Sequence, residues 1–430
     1  MKTDQIQKVH KDWYKLDLSA IVYPTLQRRD FSSVYRLSVL LKEDIDPEIL
    51  QRAVNLTMPR FPTYKAAIRK GVFWRYLEPN DRPGPFVQED VKNPCQPMHF
   101  KGNNRYLVRI YYYRNRIALE AHHSLGDGTG GMCVLQTLTA TYLRLKGHSE
   151  IENGGFVLDI LGIPDPGELE DAYMKYANAK VCPPRPGEKT YRVRGTKEPF
   201  YTLNIIDGIM SVSEVMQVAK SYNATITEYL NSVLLYALMQ KQESEWHLKL
   251  RPVKIAMPVN LRRFFPSRTL RNFITMIYPG IDPRLGEYTF EEIVIQVHNY
   301  MRYYLNEKLL RGDITTNAET QRNPFIRIVP LFIKDLVVRQ FYTKIQDKNS
   351  SAGLTNMGAL KVPETMKPYI ERFDIYMGQP FSTRTNCAIA SFEDILTINF
   401  ASSIAETDVE RLFFRKLVQD GIHVKIESNR

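Results

Sequence analysis

The residues best suited to chemistry stand in one short stretch, His122-His123-Ser124-Leu125-Gly126-Asp127-Gly128. Two histidines leave a predicted strand, and an aspartate follows the second by four residues. Imidazole titrates near neutral pH. It can take a proton from a hydroxyl or amine attacking an acyl carbon, then return it to the leaving group. Such a base must be held in one tautomer and direction. Asp127 is the candidate for that support, directly or by fixing the loop. Gly126 and Gly128 permit a tight backbone path. The helix expected next adds positive potential from its N-terminus.

Three other readings of the stretch are open. A histidine and an aspartate four apart could chelate a metal on a helix. Glycines at 126 and 128 argue against a helix there, adjacent histidines on a strand face opposite ways, and no third ligand lies nearby. No metal is therefore expected. Residues 126–131 also match G-x-G-x-x-G after a strand and before a helix. Asp127 inside that loop would repel a pyrophosphate, and no apolar parallel strand with a terminal acid follows. Finally, His122 and His123 could be satisfied structural groups. The glycines and aspartate at this spacing speak for more.

The elements that must position these residues follow from pattern. Val34–Leu41 reads as a strand. A helix is expected over 46–58, with Asp46 as N-cap and Pro47 in the first turn. Two short strands near 64–69 and 72–77 come next, then a hairpin of 106–112 and 116–121. Met132, Leu135, Leu138, Tyr142 and Leu145 recur at helical spacing, which predicts a buried helix. Residues 147–198, rich in Gly, Pro and charge, read as a crossover. Beyond it come a strand at 200–206, helices at 213–221 and 225–240, and a strand at 253–258. Helices are expected at 290–305 and 325–342, and a strand breaking into a turn at 353–358. Strands at 373–377, 387–392 and 395–401 precede a helix at 408–419 that stops at Gly421. Strands then helices, twice over, predict mixed α/β (α+β) lobes rather than one alternating parallel sheet. The chain divides into a first lobe over 1–180, a linker over 181–198 and a second lobe over 199–430.

Composition narrows the partners. The chain has 430 residues, 43% hydrophobic and 24% charged, which suits large packed cores. The net charge of +11 favours an anionic partner. Its densest cluster is Arg262, Arg263, Arg268 and Arg271. No nucleic-acid motif accompanies it, so no nucleic acid is expected. A small polyphosphate or an acidic carrier protein fits better. Cysteines 95, 133, 182 and 387 lack CxxC or metal-ligand spacing. The first residues lack an apolar signal region, and no apolar window suits a membrane span. A cytoplasmic location is the expectation.

The 122–128 stretch resembles the HHxxxDG signature of the CoA-dependent acyltransferase superfamily. That group includes chloramphenicol acetyltransferase, peptide-synthetase condensation domains, plant BAHD acyltransferases and alcohol acetyltransferases. His122, His123, Asp127 and Gly128 fill its four defined positions. Residues 221–238 are similar to the helix opening its second lobe. Residues 258–266 with Arg271-Asn272-Phe273 are similar to its strand-plus-Arg and Gly-Asn-Phe segments, with Arg271 in place of glycine. Leu354-Thr355-Asn356-Met357-Gly358 resembles its Ser-Asn-x-Gly turn, with Thr355 in place of serine. The plant-type DFGWG element is absent, and the alcohol acetyltransferase branch is nearest.

The resemblance implies two chloramphenicol-acetyltransferase-like lobes, each a mixed sheet with flanking helices, and an active-site tunnel between them. It implies transfer of an acetyl or short to medium acyl group from coenzyme A to a small alcohol or amine, without an acyl-enzyme. His123 would be the base, with His122 supporting. Asp127 would be structural and pair with Arg262. Gly128 would leave room for substrate, and Asn356 or Thr355 would donate to the oxyanion. Arg268 and Arg271, with Arg262 and Arg263, are candidates for the phosphates of coenzyme A. Two alternatives stay open: an enzyme that takes its acyl group from an acyl carrier protein, and a noncatalytic module binding a thioester or lipid.

Overall fold

The computed structural model describes residues 13–27, 31–180, 189–200, 202–245, 249–344, 349–378 and 383–430. Val34–Leu41 is buried at all eight positions, because it lies inside a five-stranded sheet. The strand order there is Ile370–Met377, Val34–Leu41, Arg116–His122, Val108–Tyr113 and Val87–Glu89. Only the last pair is parallel. Helices Pro47–Thr57 and Gly128–Leu145 pack against each other, the latter also on the sheet. Asp46 caps the former, accepting from the Glu48 and Ile49 amides at 2.9 and 3.1 Å. Tyr14–Lys15, Arg75–Pro79 and Ala66–Lys70 form a small separate sheet.

A second, eight-stranded mixed sheet contains Val253–Asn260, Ala352–Ala359, Thr385–Phe392, Ile395–Ser402 and Asn204–Ser211 as successive neighbours. Ala352–Ala359 runs parallel to the strands on both its sides. Helices Ile226–Ser244, Phe290–Tyr304 and Asp408–Gln419 bury their apolar faces in this half. A capping box starts Ile226–Ser244: Glu228 N–H donates to Thr225 Oγ1 at 3.2 Å, and Thr225 N–H to Glu228 Oε2 at 2.8 Å. The molecule is thus a two-lobed mixed α/β fold with one main core on each of the two large sheets and a smaller apolar cluster beside them.

Several elements depart from the sequence reading. Ile370–Met377, late in the chain, pairs with Val34–Leu41 in the first sheet. Residue alternation sets which face of a strand is buried, not which sheet it joins. The strand expected at 200–206 runs instead over Asn204–Ser211. Asp207 and Gly208 look like a stop but lie inside. Asp207 is buried and accepts from Asn399 at 2.8 Å and Tyr376 at 2.9 Å. The helix expected at 325–342 breaks at Pro330 into Pro324–Arg327 and Leu331–Lys344. A further helix, Glu307–Arg322, is polar overall and escaped the pattern. It buries Leu310, Ile314 and Ala318 at four-residue steps.

Candidate active site

The Arg116–His122 strand carries the motif to the seam of the two lobes. His123 N–H donates to the Ser33 carbonyl at 2.9 Å, and Leu125 N–H closes a turn onto the His122 carbonyl at 3.0 Å. Asp127 then caps Gly128–Leu145, accepting from the Thr129 and Gly130 amides at 3.1 and 3.2 Å. Its carboxylate also reaches across the seam. Arg262 donates to it through Nη1 at 2.8 Å and Nη2 at 3.3 Å, and Phe273 N–H at 2.9 Å. Arg262 is held in turn by the Thr269 carbonyl at 2.9 Å, the Arg271 carbonyl at 2.6 Å and Asn260 Oδ1 at 3.2 Å. Asp127 therefore fixes the loop and does not hydrogen-bond His123.

Gly126 and Gly130 admit the Leu270 carbonyl. A Cβ on Gly126 would come within 2.5 Å of that oxygen, and one on Gly130 would overlap it. Neither glycine has a positive φ. The expectation of a special backbone path at Gly126 and Gly128 gives way to one of clearance. A Cβ on Gly128 would meet Met357 Sδ at 2.9 Å, so this position faces the Ala352–Ala359 strand.

The His123 ring lies against two tyrosines. Tyr23 stacks on it with centroids 4.7 Å apart, and Tyr35 is tilted at 4.6 Å. The Tyr35 hydroxyl donates to the Asp127 carbonyl at 3.2 Å. Nδ1 is buried without a partner. Burial pushes the His123 pKa down to about 4, against upward pulls from Asp127, Asn272 and the Gly126 backbone. The imidazole is thus neutral at pH 7 and free to accept a proton. Asn272 anchors the backbone: its Nδ2 donates to the His123 carbonyl at 2.9 Å and to buried Asp17 at 3.1 Å.

His122 is fully buried, with Phe100 edge-on at 5.5 Å. Its Nδ1 accepts from Ser124 N–H at 3.2 Å. Burial, then the neighbouring His123, push its pKa down to about 3. This has a consequence for stability. Between pH 6.5 and about 3 the unfolded chain binds a proton at His122 that the folded chain does not. Stability from this group is present above pH 6.5 and lost as pH falls through that window. The loss reaches roughly 4 kcal/mol at the acid end. Urea titrations of wild type and His122→Leu from pH 7 to pH 4 are expected to differ in slope. The wild type should lose stability faster, and parallel curves would show that His122 is protonated in the fold.

Neither a family model nor a curated protein matches the chain. Solved structures do. The Fusarium sporotrichioides protein solved with coenzyme A and T-2 has TM-score 0.63 at 12% identity, over 96% of this chain and 100% of that one. The starter condensation domain of rhizomide synthetase, solved with C8-CoA, has TM-score 0.60 at 12% identity, over 99% and 100%. Trichothecene 15-O-acetyltransferase from F. sporotrichioides has TM-score 0.55 at 14% identity, over 95% and 94%. The chain has the condensation-type acyltransferase fold. At these identities the likeness is one of fold.

Within this condensation-type fold, the other expected site residues have the following partners. Asn356 Nδ2 donates to Thr227 Oγ1 at 2.9 Å, and its Oδ1 accepts from Gly358 N–H at 2.7 Å. Gly358 has φ +72°. Asn356 is a turn residue tied to a helix start. Arg268 and Arg271 do not form a joint phosphate site. Arg268 is exposed and pairs with Asp165 at 2.9 Å. Arg271 is buried and held by Asp17 and the Lys15 and Leu169 carbonyls. A buried guanidinium needs internal acceptors, and these occupy it.

Sequence reasoning missed Asp17, Tyr23 and Tyr35. The signal for Asp17 was a charge between Leu16 and Leu18 in an apolar stretch. Nor did it gather the basic residues that share a cavity of about 470 Å³ lined by Arg192, Arg194, Lys249, Arg251 and Arg384. That cavity lies at the Val253 end of the Val253–Asn260 strand, whose other end meets the site.

Proposed function

We propose that this protein is an acyltransferase that moves an acyl group from a coenzyme A thioester to a hydroxyl or amine, with His123 as general base. The observation that carries the reading is a neutral imidazole clamped at the lobe seam. Asn272 holds its backbone, and Asp127–Arg262 holds its loop. The named neighbours solved with coenzyme A or C8-CoA support coenzyme A as donor.

The residues act as follows. The acceptor's O–H or N–H proton passes to the unprotonated ring nitrogen of His123 as the acceptor attacks the thioester carbon. A tetrahedral oxyanion forms. The C–S bond then breaks, and His123 returns the proton to the departing thiolate. The transient imidazolium lies against the rings of Tyr23 and Tyr35, a favourable place for a cation. The positive N-terminus of Gly128–Leu145 begins close by.

The test is thiol release from acyl-CoA donors of increasing chain length, each offered mixed alcohols and amines. Acceptor-dependent release is the expected result. Release only from an acyl group on a carrier protein would instead favour the condensation-enzyme reading. No release from any donor would leave a noncatalytic binding module.

A further inference from the structure

Helix Leu331–Lys344 is turned inside out for a surface in water. Two of its polar side chains, Asp335 and Arg339, bond back to the protein. Asp335 accepts from Arg75 at 2.8 and 2.5 Å and from Thr25 Oγ1 at 2.8 Å. Arg339 Nε donates to the Thr25 carbonyl at 2.8 Å. The apolar residues face out: Phe332 is 73%, Leu336 59% and Val337 60% exposed, and Ile333 39%. The pairs 332/336 and 333/337 each lie one turn apart, so they form one stripe. A surface helix ordinarily presents the reverse arrangement.

The stripe continues on both sides. The short helix before it adds exposed Phe325, followed by exposed Ile328. The first lobe adds Val72, Phe73 and Trp74, also exposed, from the tip between Ala66–Lys70 and Arg75–Pro79. Two bonds join the tip to the helix. Leu331 N–H donates to the Val72 carbonyl at 2.8 Å, and Lys334 Nζ to the Phe73 carbonyl at 2.9 Å. Both lobes thus feed exposed apolar residues to one side of the molecule, grouped rather than scattered singly.

Charge selects the occupant. Lys334 Nζ donates to the Arg327 carbonyl at 3.1 Å, and among the described residues neither side chain forms an ion pair. Burial, then the Arg327 charge, lower the Lys334 pKa. These two cations sit beside the apolar stripe on a chain of net charge +11. A second copy would bring like charges together. An anionic bilayer supplies both an apolar layer and a negative surface, and the exposed Trp74 suits its boundary. Among the described residues no helix is long and apolar enough to cross a membrane, so the element would lie on the surface.

We propose that this face, built from residues 325–337 and the 72–74 tip, docks on an anionic lipid surface. The helix rests on Val22–Leu26, which carries the Tyr23 ring stacked on His123. Docking would therefore set the seam one helix away from the lipid. The inference stands apart from the chemistry at His123.

The full chain, spun down with vesicles, tests it. It should sediment with phosphatidylcholine vesicles containing phosphatidylserine and stay in solution with phosphatidylcholine alone. The double variant Phe332→Glu, Leu336→Glu should cut the bound fraction roughly tenfold or more. Arg327→Glu should weaken binding less and remove part of its salt dependence. Thermal unfolding of all variants should match wild type, because these side chains are exposed. Failure of wild type to sediment with either vesicle overturns the proposal, as does equal binding by the double variant. A concentration-dependent dimer that the double variant dissolves, without vesicle binding, also overturns it and assigns the face to a second copy.

Discussion

His123→Ala is expected to lower acceptor-dependent thiol release by roughly 10²–10⁴-fold while leaving the melting temperature essentially unchanged. The two halves of that expectation rest on different atoms. Turnover needs the ring. The fold uses the backbone, through the bonds of His123 to the Ser33 carbonyl and from Asn272. Alanine keeps both. The buried Nδ1 of the ring lacks a partner, so truncation breaks no bond at that atom. The pH profile gives a second readout. With its pKa pushed down to about 4, the base is already neutral well below pH 6. For the wild type, kcat/KM should hold level from pH 8 to pH 6 and fall only as pH approaches 4. An acid limb near 6.5, the ordinary histidine value, would mean that the ring is hydrated in solution. A purified variant with wild-type turnover would remove His123 from the mechanism altogether.

A base this weak in the resting protein is compatible with catalysis because the charges change together. As the acceptor attacks, an oxyanion grows beside the ring. In a poorly solvated site, opposite charges a few ångströms apart attract strongly. The imidazolium is then favoured when the reaction needs it and disfavoured before. Burial that lowers the resting pKa also strengthens that attraction. The two tyrosine rings act in the same direction.

What the sequence revealed and what it hid divide along the range of each interaction. The strand, turn and helix around His123 were readable because strand composition, glycines and helical apolar spacing are local signals. The Asp46 cap was readable for the same reason. Arg262 is different. It lies 135 residues from Asp127, and only the likeness to a known motif suggested the pair. The link from Asp17 through Asn272 to His123 spans 255 residues at its first step, and no pattern announces it. Arg271 looked like a phosphate ligand because a sequence shows charge without depth. Leu331–Lys344 shows the same blindness in reverse. Its apolar residues imply a buried stripe, yet Asp335 finds Arg75 on the first lobe and turns that stripe outward.

Arg262→Ala is expected to cost stability on the scale of a core truncation, roughly 3–5 kcal/mol by urea denaturation. Asp127 is only 3% exposed and Arg262 11%. Removing the arginine leaves a buried carboxylate with three backbone donors and no counter-charge. Removing the carboxylate in Asp127→Ala leaves a guanidinium facing two carbonyls and Asn260, and also uncaps Gly128–Leu145. Each single variant should therefore be severe, and the double variant should fall well short of their sum. A coupling of about 2 kcal/mol or more in that cycle is expected. Arg262→Lys should recover little. One ammonium cannot serve Asp127, Asn260 and the Thr269 and Arg271 carbonyls together, as the planar guanidinium does. Turnover should fall with stability in all of them, since the pair holds the loop that aims His123. Additive losses, or a stable Arg262→Ala with normal turnover, would reduce the pair to an ordinary surface contact. The seam would then have to be held by Asn272 and the close-packed glycines alone.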